Sequence, residues 1–503
     1  MRSLDATAAR RRRPGVDASH EHYKWWALSC TSVGMLLATL NSGTLIIALP
    51  DLERSLHTSL LQLVWVILAY MIASTVLVLT AGRLSDLFGR KRAYLAGFAL
   101  FAAASLGAGF AADGTELILW RILQGVGGAL LFANSSALVT DAFPREQLGL
   151  AMGTNTMVAA VGLVLGPVLG GLLVSISWHW VFWFNVPLAL AGIAWGALVL
   201  RELAKQDRER GLDVVGTTTF VVGLTGLVLG VSRGGLSGWS DPIVIGGLVA
   251  AAVLLPAFVA IEHRARAPML DLTIFRDRMF AAATAAAFIN GLSRFALMFL
   301  FVFYFQGAQG DDPITAGIKL SPMAIGMLVS SPPAGLWADR RGSRTLAAAG
   351  MLVGAAGLAM MTTLEPHSPF WQSALWLFIV GVGSGMFNSP NTAAMMGTVP
   401  ANRRGIAAGA RTMLQNTGAV ISIAFVLAVV TAAVPKDVLF RIFSGLAKGL
   451  SDAKLAPFID NMHTALWVLA ATSVVGAGVS LLRPSHNAPA EPAGRALIAR
   501  EAA

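Results

Sequence analysis

Cysteine occurs once in this chain. Cys30 lies in an apolar stretch, so no intramolecular disulfide and no cysteine-cluster metal site can form. Charge is also scarce. Only 13% of the 503 residues are Asp, Glu, Lys or Arg, while 55% are hydrophobic. That balance excludes an ordinary soluble domain and indicates a polytopic membrane protein. All 27 Asp and Glu fall in connections or at the ends of apolar stretches, with Glu116 and Asp213 closest to an interior. No carboxylate is therefore expected near a bilayer midplane, where one would bind and release a proton. There is no GxxxxGK[ST] loop, so ATP-driven transport has no nucleotide cradle. There is no HExxH and no Cys/His cluster, and the eight histidines are scattered. Neither a metal nor a cofactor is expected. A membrane enzyme would need a clustered nucleophile, an acid–base pair or a metal at membrane depth, and a sensor would need a soluble output domain. Neither pattern occurs.

What is abundant is apolar sequence in runs of membrane length. About 20 residues cross the hydrocarbon. The runs are residues 25–49, 61–81, 93–112, 116–139, 148–174, 180–200, 214–232, 243–262, 280–305, 314–337, 346–363, 373–396, 405–433 and 464–482. The first is too long for a signal-peptide core and no small-residue cleavage site follows it, so it is expected to remain as a span. Lys and Arg segregate to the amino terminus, the even-numbered connections and the carboxyl-terminal tail. The exceptions are Arg54, Arg233, Lys436, Arg441, Lys448 and Lys454 in odd connections, and Arg121, Arg294, Lys319 and Arg411 inside spans. This positive-inside pattern predicts cytoplasmic termini and a multi-pass protein of a bacterial plasma (inner) membrane. The net charge of +10 is thus topogenic and meets anionic lipid, and nucleic acid is not an expected partner.

A loop recurs. GRLSDLFGRKR (Gly82 to Arg92) follows the second run and GLWADRRGSR (Gly335 to Arg344) the tenth. Each has Gly, then Asp four residues on, then Gly three further, then basic residues. Two parallel repeats would produce this pattern. The expected division is a basic cytoplasmic tail (1–24), a six-helix lobe (25–200), a linker with two inserted helices (201–278), a second six-helix lobe (279–482) and a tail (483–503). In the loops, Gly82 and Gly89 allow close helix approach. Asp86 can pair with Arg90 or cap a helix end, forming a latch with Lys91 and Arg92 that must break when the lobes rock. Asp339 and Arg340 are the second-lobe counterpart. The plain alternative is a purely topogenic loop.

Span 4 carries Arg121, a charge that is costly in a bilayer unless it meets a cavity or a partner. It otherwise snorkels outward to Glu116. Span 5 presents Gly162, Gly166, Pro167, Gly170 and Gly171, a small-residue face for another helix. Asn388 and Asn391 in the glycine-rich span 12 are expected to face a cavity, as is Arg294, deep in span 9. Tyr70, Asn134, Asn155, Asn290 and Gln415 could line it, or simply bond between helices. Lys319 and Arg411 lie near span ends, where snorkelling accounts for them. The segment 434–463, with VLFRIFSGLAKGL, reads as an amphipathic surface helix and a possible contact for an envelope accessory protein.

Four motifs in order give the chain a resemblance to the major facilitator superfamily, in its fourteen-span EmrB/QacA-type drug:proton antiporter family. They are GRLSDLFGRKR, RILQGVGGA (Arg121 to Ala129), LGPVLGG (Leu165 to Gly171) and WHWVFWFNVP (Trp178 to Pro187). The resemblance implies an all-α integral membrane fold of 14 transmembrane helices, two six-helix lobes plus two inserted ones. It also implies a secondary active exporter of amphipathic small molecules, working as a monomer by alternating access and driven by protons. It gives Arg121, with Gln124 and Gly125, a coupling role, and the span 5 glycines an antiport hinge. One position departs. The family pattern in span 1 is Leu-Asp-x-Thr, and this chain reads LNSGT, so Asn41 stands where the aspartate belongs. Asparagine cannot carry a proton. The alternative is a lipid, glycolipid or anionic-metabolite translocator with weak or no proton coupling.

Overall fold

The computed structural model describes residues 22–144, 148–203, 213–265, 268, 270, 272–399, 404–432, 434–443 and 450–484. The side chains of Asp86, Asp339 and Arg340 are outside that description, as is most of both tails. The described residues are helical, without a strand. The first lobe comprises α1 (Tyr23–Leu56), α2 (Leu60–Phe88), α3 (Arg90–Ala108), α4 (Gly114–Ala142), α5 (Leu148–Ile176) and a span broken into α6 (Trp180–Trp183) and α7 (Asn185–Val199). The inserted pair is α8 (Val214–Ser237) and α9 (Pro242–Arg264). The second lobe comprises α10 (Arg278–Val302), α11 (Pro313–Arg341), α12 (Ser343–Met361), α13 (Phe370–Thr398), α14 (Arg404–Val430), a short α15 (Lys436–Phe443) and α16 (Asp452–Leu481). Twelve of these spans are long and apolar enough to cross a membrane, counting α6 with α7 as one. The long helices α3 and α5 bring the bundle to the fourteen expected.

Helix ends follow local chemistry. Ser59 and Gln62 form a capping box at α2. Asp113 caps α4, accepting from the N–H groups of Thr115 (2.8 Å) and Glu116 (2.9 Å). Asp241 and Asp312 do the same ahead of Pro242 and Pro313, which need no N–H partner at the first helical position. Each repeated loop shrinks to one glycine between two helices. Gly89 (φ 104°) joins α2 to α3 and Gly342 (φ 84°) joins α11 to α12, a backbone that side-chain-bearing residues rarely adopt.

Some boundaries move. α1 runs through Pro50 to Leu56, seven residues beyond expectation. α10 ends in a π-helical turn, Phe303–Ala308. The long connection predicted over 434–463 is largely helix, because α16 starts at Asp452 and α15 tucks inward. Val438, Leu439 and Ile442 of α15 are buried, and Ile442 lies against Gly307.

Small residues set the packing. A Cβ on Gly166 of α5 would stand 2.8 Å from the Gly43 Cα of α1, and one on Gly171 would stand 2.6 Å from the Pro313 carbonyl oxygen of α11. α5 is therefore clamped between the lobes near the end opposite the basic loops, and α2 meets α14 on the other side. The inserted pair is peripheral. Only 17% of the apolar window of α9 is buried, against 78% for α2, so α9 presents its apolar face outward.

Candidate functional site

Arg121 of α4 is among the largest fully buried side chains of the described residues, 1% exposed. Its Nε donates to the Val66 carbonyl of α2 at 2.9 Å. One terminal nitrogen donates to Asn41 Oδ1 of α1 at 3.4 Å and to Gln124 Oε1. The guanidinium lies 4.4 Å from the centre of the Tyr70 ring. Gln124 Nε2 donates to the same Asn41 oxygen at 3.1 Å and to Ser105 Oγ of α3 at 2.7 Å. Asn185, opening α7, donates to it at 3.4 Å. Residues from five spans thus meet in one cluster, and donors from α4 and α7 converge on one amide oxygen. Three buried polar atoms there have no partner: Asn41 Nδ2, Tyr70 Oη and Asn185 Oδ1. Among the described residues no carboxylate pairs with Arg121. Glu116, the outward alternative, instead accepts from Trp120 Nε1 at 3.2 Å and the Ala112 N–H at 2.9 Å.

The glycines of RILQGVGGA make this geometry possible. A Cβ on Gly125 would stand 2.7 Å from the Tyr70 carbonyl oxygen, and one on Gly128 would stand 2.9 Å from Tyr70 Oη. Only without those carbons does α4 lie close enough to α2 for Arg121 to reach Val66 and Tyr70.

A second buried cation occupies the other lobe. Arg294 of α10 donates to the carbonyls of Val380 (2.8 Å) and Gly350 (3.2 Å) and to Ser384 Oγ, while its Nε has no partner. Gly354 is required beside it, since a Cβ there would collide with the guanidinium. Arg294 precedes Gly335 by the same interval as Asn41 precedes Gly82. The two lobes therefore place a polar residue at the same repeat position.

Comparison with known proteins fits this two-lobed plan. The Major Facilitator Superfamily profile matches residues 31–423, with a second match over 283–499. The chain belongs to the Major Facilitator Superfamily. The Tetracenomycin C resistance and export protein of Streptomyces glaucescens is 30% identical, covering 93% of this chain and 94% of that protein. The Multidrug resistance protein Stp of Mycobacterium tuberculosis is 34% identical over 80% of this chain and 75% of its own. The Puromycin resistance protein pur8 of Streptomyces alboniger is 32% identical over 82% of each. Among solved structures, a bacterial homolog of the human lysosomal transporter Spinster, inward-facing and unoccupied, aligns with a TM-score of 0.62 over 92% of this chain and 97% of that one. At 14% identity, that likeness speaks for the fold alone. This superfamily member is a multi-pass membrane transporter of small molecules and not an enzyme.

The superfamily's repeated loop is held by partners the sequence did not advertise. Arg90 pairs with Asp141 at the end of α4, 2.6 Å away. Glu202, following α7, accepts from the N–H groups of Arg90 (2.7 Å) and Lys91 (3.2 Å), capping α3. Lys91 Nζ donates to the carbonyls of Ala197 (2.8 Å) and Leu200 (2.6 Å). Arg92 is exposed. Gly82 faces Ala133 of α4, with a Cβ there reaching 3.9 Å. The side chains of Asp86, Asp339 and Arg340 lie outside the described residues.

On α5, Gly162 and Gly170 abut Thr39 and Thr44 of α1, and the Pro167 carbonyl abuts Gly317 of α11. The remaining polar residues do not form one cluster. Asn134 donates to Leu130 within its own helix (2.8 Å) and Asn155 to Ser135 (2.8 Å). Asn290 donates to the Met351 sulfur (3.3 Å). Gln415 approaches Asn388 at 3.5 Å, at the limit of a hydrogen bond. Asn391 accepts from Arg483 at 2.5 Å, a buried cation the sequence reading passed over. Lys319 pairs with Asp311 at 2.5 Å at the end opposite the basic loops, and Arg411 is half-buried. His179 stacks on Trp178 at 3.9 Å, and partial burial lowers its pKa. Asn185 and Ser105 complete the Arg121 site. The first stands in WHWVFWFNVP, a motif already marked, and the second carries no sequence signal.

Proposed function

We propose that this chain exports amphipathic small molecules by secondary active transport. It sits in the cytoplasmic membrane as a monomer, with both termini and the basic loops on the cytoplasmic side. The two lobes rock about α5 and α11, exposing the space between them to each side in turn. The proton gradient supplies the energy. Lipid surrounds the bundle, and the α15 segment is where an envelope accessory protein would attach. The observation that carries this reading is the buried Arg121 cluster inside a two-lobed bundle whose relatives are named for drug resistance and export. Support for the mechanism comes from the seam between lobes. Gln306 Nε2 donates to the Ile47 carbonyl at 3.1 Å, a bond that must break for the lobes to part there. The loop bonds of Arg90, Lys91, Asp141 and Glu202 lie within the first lobe and would brace its basic end, while Asp86 would serve as the latch that breaks when the lobes rock.

A second reading rests on Asn41. Without a titratable group at that position the cluster has no carboxylate to bind and release a proton, which favours a facilitator or lipid-type translocator. Proteoliposomes with an imposed pH gradient separate the two. A lipophilic cationic dye, a neutral amphipath and an amphipathic anion are tested in parallel. Uphill, gradient-dependent movement of any of them, lost in Arg121→Ala, is the expected result. Movement of all compounds only downhill, unaffected by the gradient, would replace the exporter with the facilitator.

A further inference from the structure

We infer that the Arg121 cluster is the docking point for an anionic group carried by the cargo, so that this exporter selects amphipathic carboxylates over neutral and cationic analogues. The inference rests on the export reading and names its substrate class. A guanidinium removed from water needs a counter-charge or a full set of acceptors. Arg121 has the Val66 carbonyl and two neutral amide oxygens, those of Asn41 and Gln124. The first of these oxygens is already shared. Asn41 Oδ1 accepts from Arg121, Gln124 and Asn185 together, so each donor holds it weakly, at 3.4, 3.1 and 3.4 Å.

The surroundings hold spare donors beside one open acceptor, Asn185 Oδ1. Asn41 Nδ2 and Tyr70 Oη are buried and have no partner beyond each other. Both belong to residues in contact with the guanidinium. A carboxylate offers two acceptor oxygens, which suit an arginine fork and leave lone pairs for neighbouring donors. The three groups together supply a positive charge and unfilled hydrogen bonds, while Ser105 and Gln124 hold the rear of the site. A lipophilic cation would meet an uncompensated guanidinium instead. The site is closed in this conformation, and α1, which carries Asn41, also bonds to the second lobe through Ile47 and Gln306. Rocking the lobes therefore moves the helix that covers the site.

The test uses the full-length protein in nanodiscs and a matched pair of probes, a fluorescent naphthalene carboxylate and its methyl ester. Wild type is expected to bind the acid about tenfold or more tighter than the ester, as a charge-assisted bond implies. Asn41→Asp places a carboxylate on Arg121 without changing side-chain size. It is expected to remove the preference, bringing acid binding down to the level of the ester. Arg121→Gln is expected to do the same if it folds, and Asn41→Asp decides the matter if it does not. Repeating wild type in chloride and in methanesulfonate controls for a small-anion effect, and the preference should persist in both. Equal binding of acid and ester by wild type would overturn the inference. So would an unaltered preference in Asn41→Asp, or a preference seen only with chloride present. The exporter reading fails separately, if no compound of the transport panel moves uphill.

Discussion

Substituting alanine for Gly166 tests the idea that α1 and α5 are held at a close backbone approach in the first lobe. The new Cβ would stand 2.8 Å from Gly43 Cα, 3.2 Å from its carbonyl carbon and 3.4 Å from the Leu40 oxygen. Carbon atoms rest at about 3.5–4.0 Å, so the helices must part by about 1 Å. Both sides of the contact are backbone, and no side chain can turn aside. Overpacking of this kind costs about 1–3 kcal/mol, offset by up to about 1 kcal/mol from the better helix propensity of alanine. Gly478→Ala on α16 is the control, because its Cβ would meet nothing within 4 Å. It should gain the propensity term alone and be neutral or slightly stabilised. Thermal unfolding of both variants in one detergent gives the comparison, with export activity alongside. Gly166→Ala should melt lower than the control and transport more slowly, because α5 also bears on Pro313 and Ile314 of α11 through Gly171. Equal melting points and wild-type transport would refute the close-approach argument.

Other outcomes follow from the same geometry. Gln306→Leu removes the bond to the Ile47 carbonyl. At about 1 kcal/mol for that bond, it should raise thiol labelling of a cysteine placed at the seam about fivefold. Arg90→Ala should slow transport while expression holds, and the exchange Arg90→Asp with Asp141→Arg should restore part of it, since the pair is 2.6 Å apart and largely shielded. Arg121→Ala and Asp86→Asn should each abolish transport at normal expression. Normal rates in both would remove the mechanistic roles assigned to them.

The helical plan was legible because each span needs about 20 apolar residues and basic residues mark one side. The repeated loop was legible because Gly89 and Gly342 supply a backbone geometry that recurs in both lobes. Boundaries were less so. Polar residues such as Glu53 and Arg54 continue α1 beyond Pro50, and α16 starts among Asp452 and Lys454, because helix propensity does not stop at the apolar edge. At the site, Arg121, Asn41, Gln124 and Tyr70 stood out as polar residues inside apolar runs, and the structure brings these four together. Ser105 did not, since a lone serine in a span is ordinary. Asp141 and Glu202 were missed because they lie just beyond the apolar runs, where acidic residues are common, and only three-dimensional contact joins them to the loop at Gly89. Asn134, Asn155, Asn290 and Arg294 were grouped with the same cavity, yet each bonds elsewhere, because periodicity cannot say which neighbour a buried amide will meet.

Rocking of the lobes is the central claim, and one distance reports it. With Cys30 replaced by alanine, the chain has no other cysteine, so spin labels can be placed at Ser175 of α5 and Thr315 of α11 alone. Their separation is measured in liposomes with and without a transported compound and a pH gradient. The account predicts a short-distance population, matching the closed α5–α11 seam, that shifts to a longer one during transport. A single unchanged distance in a protein that still transports would contradict it.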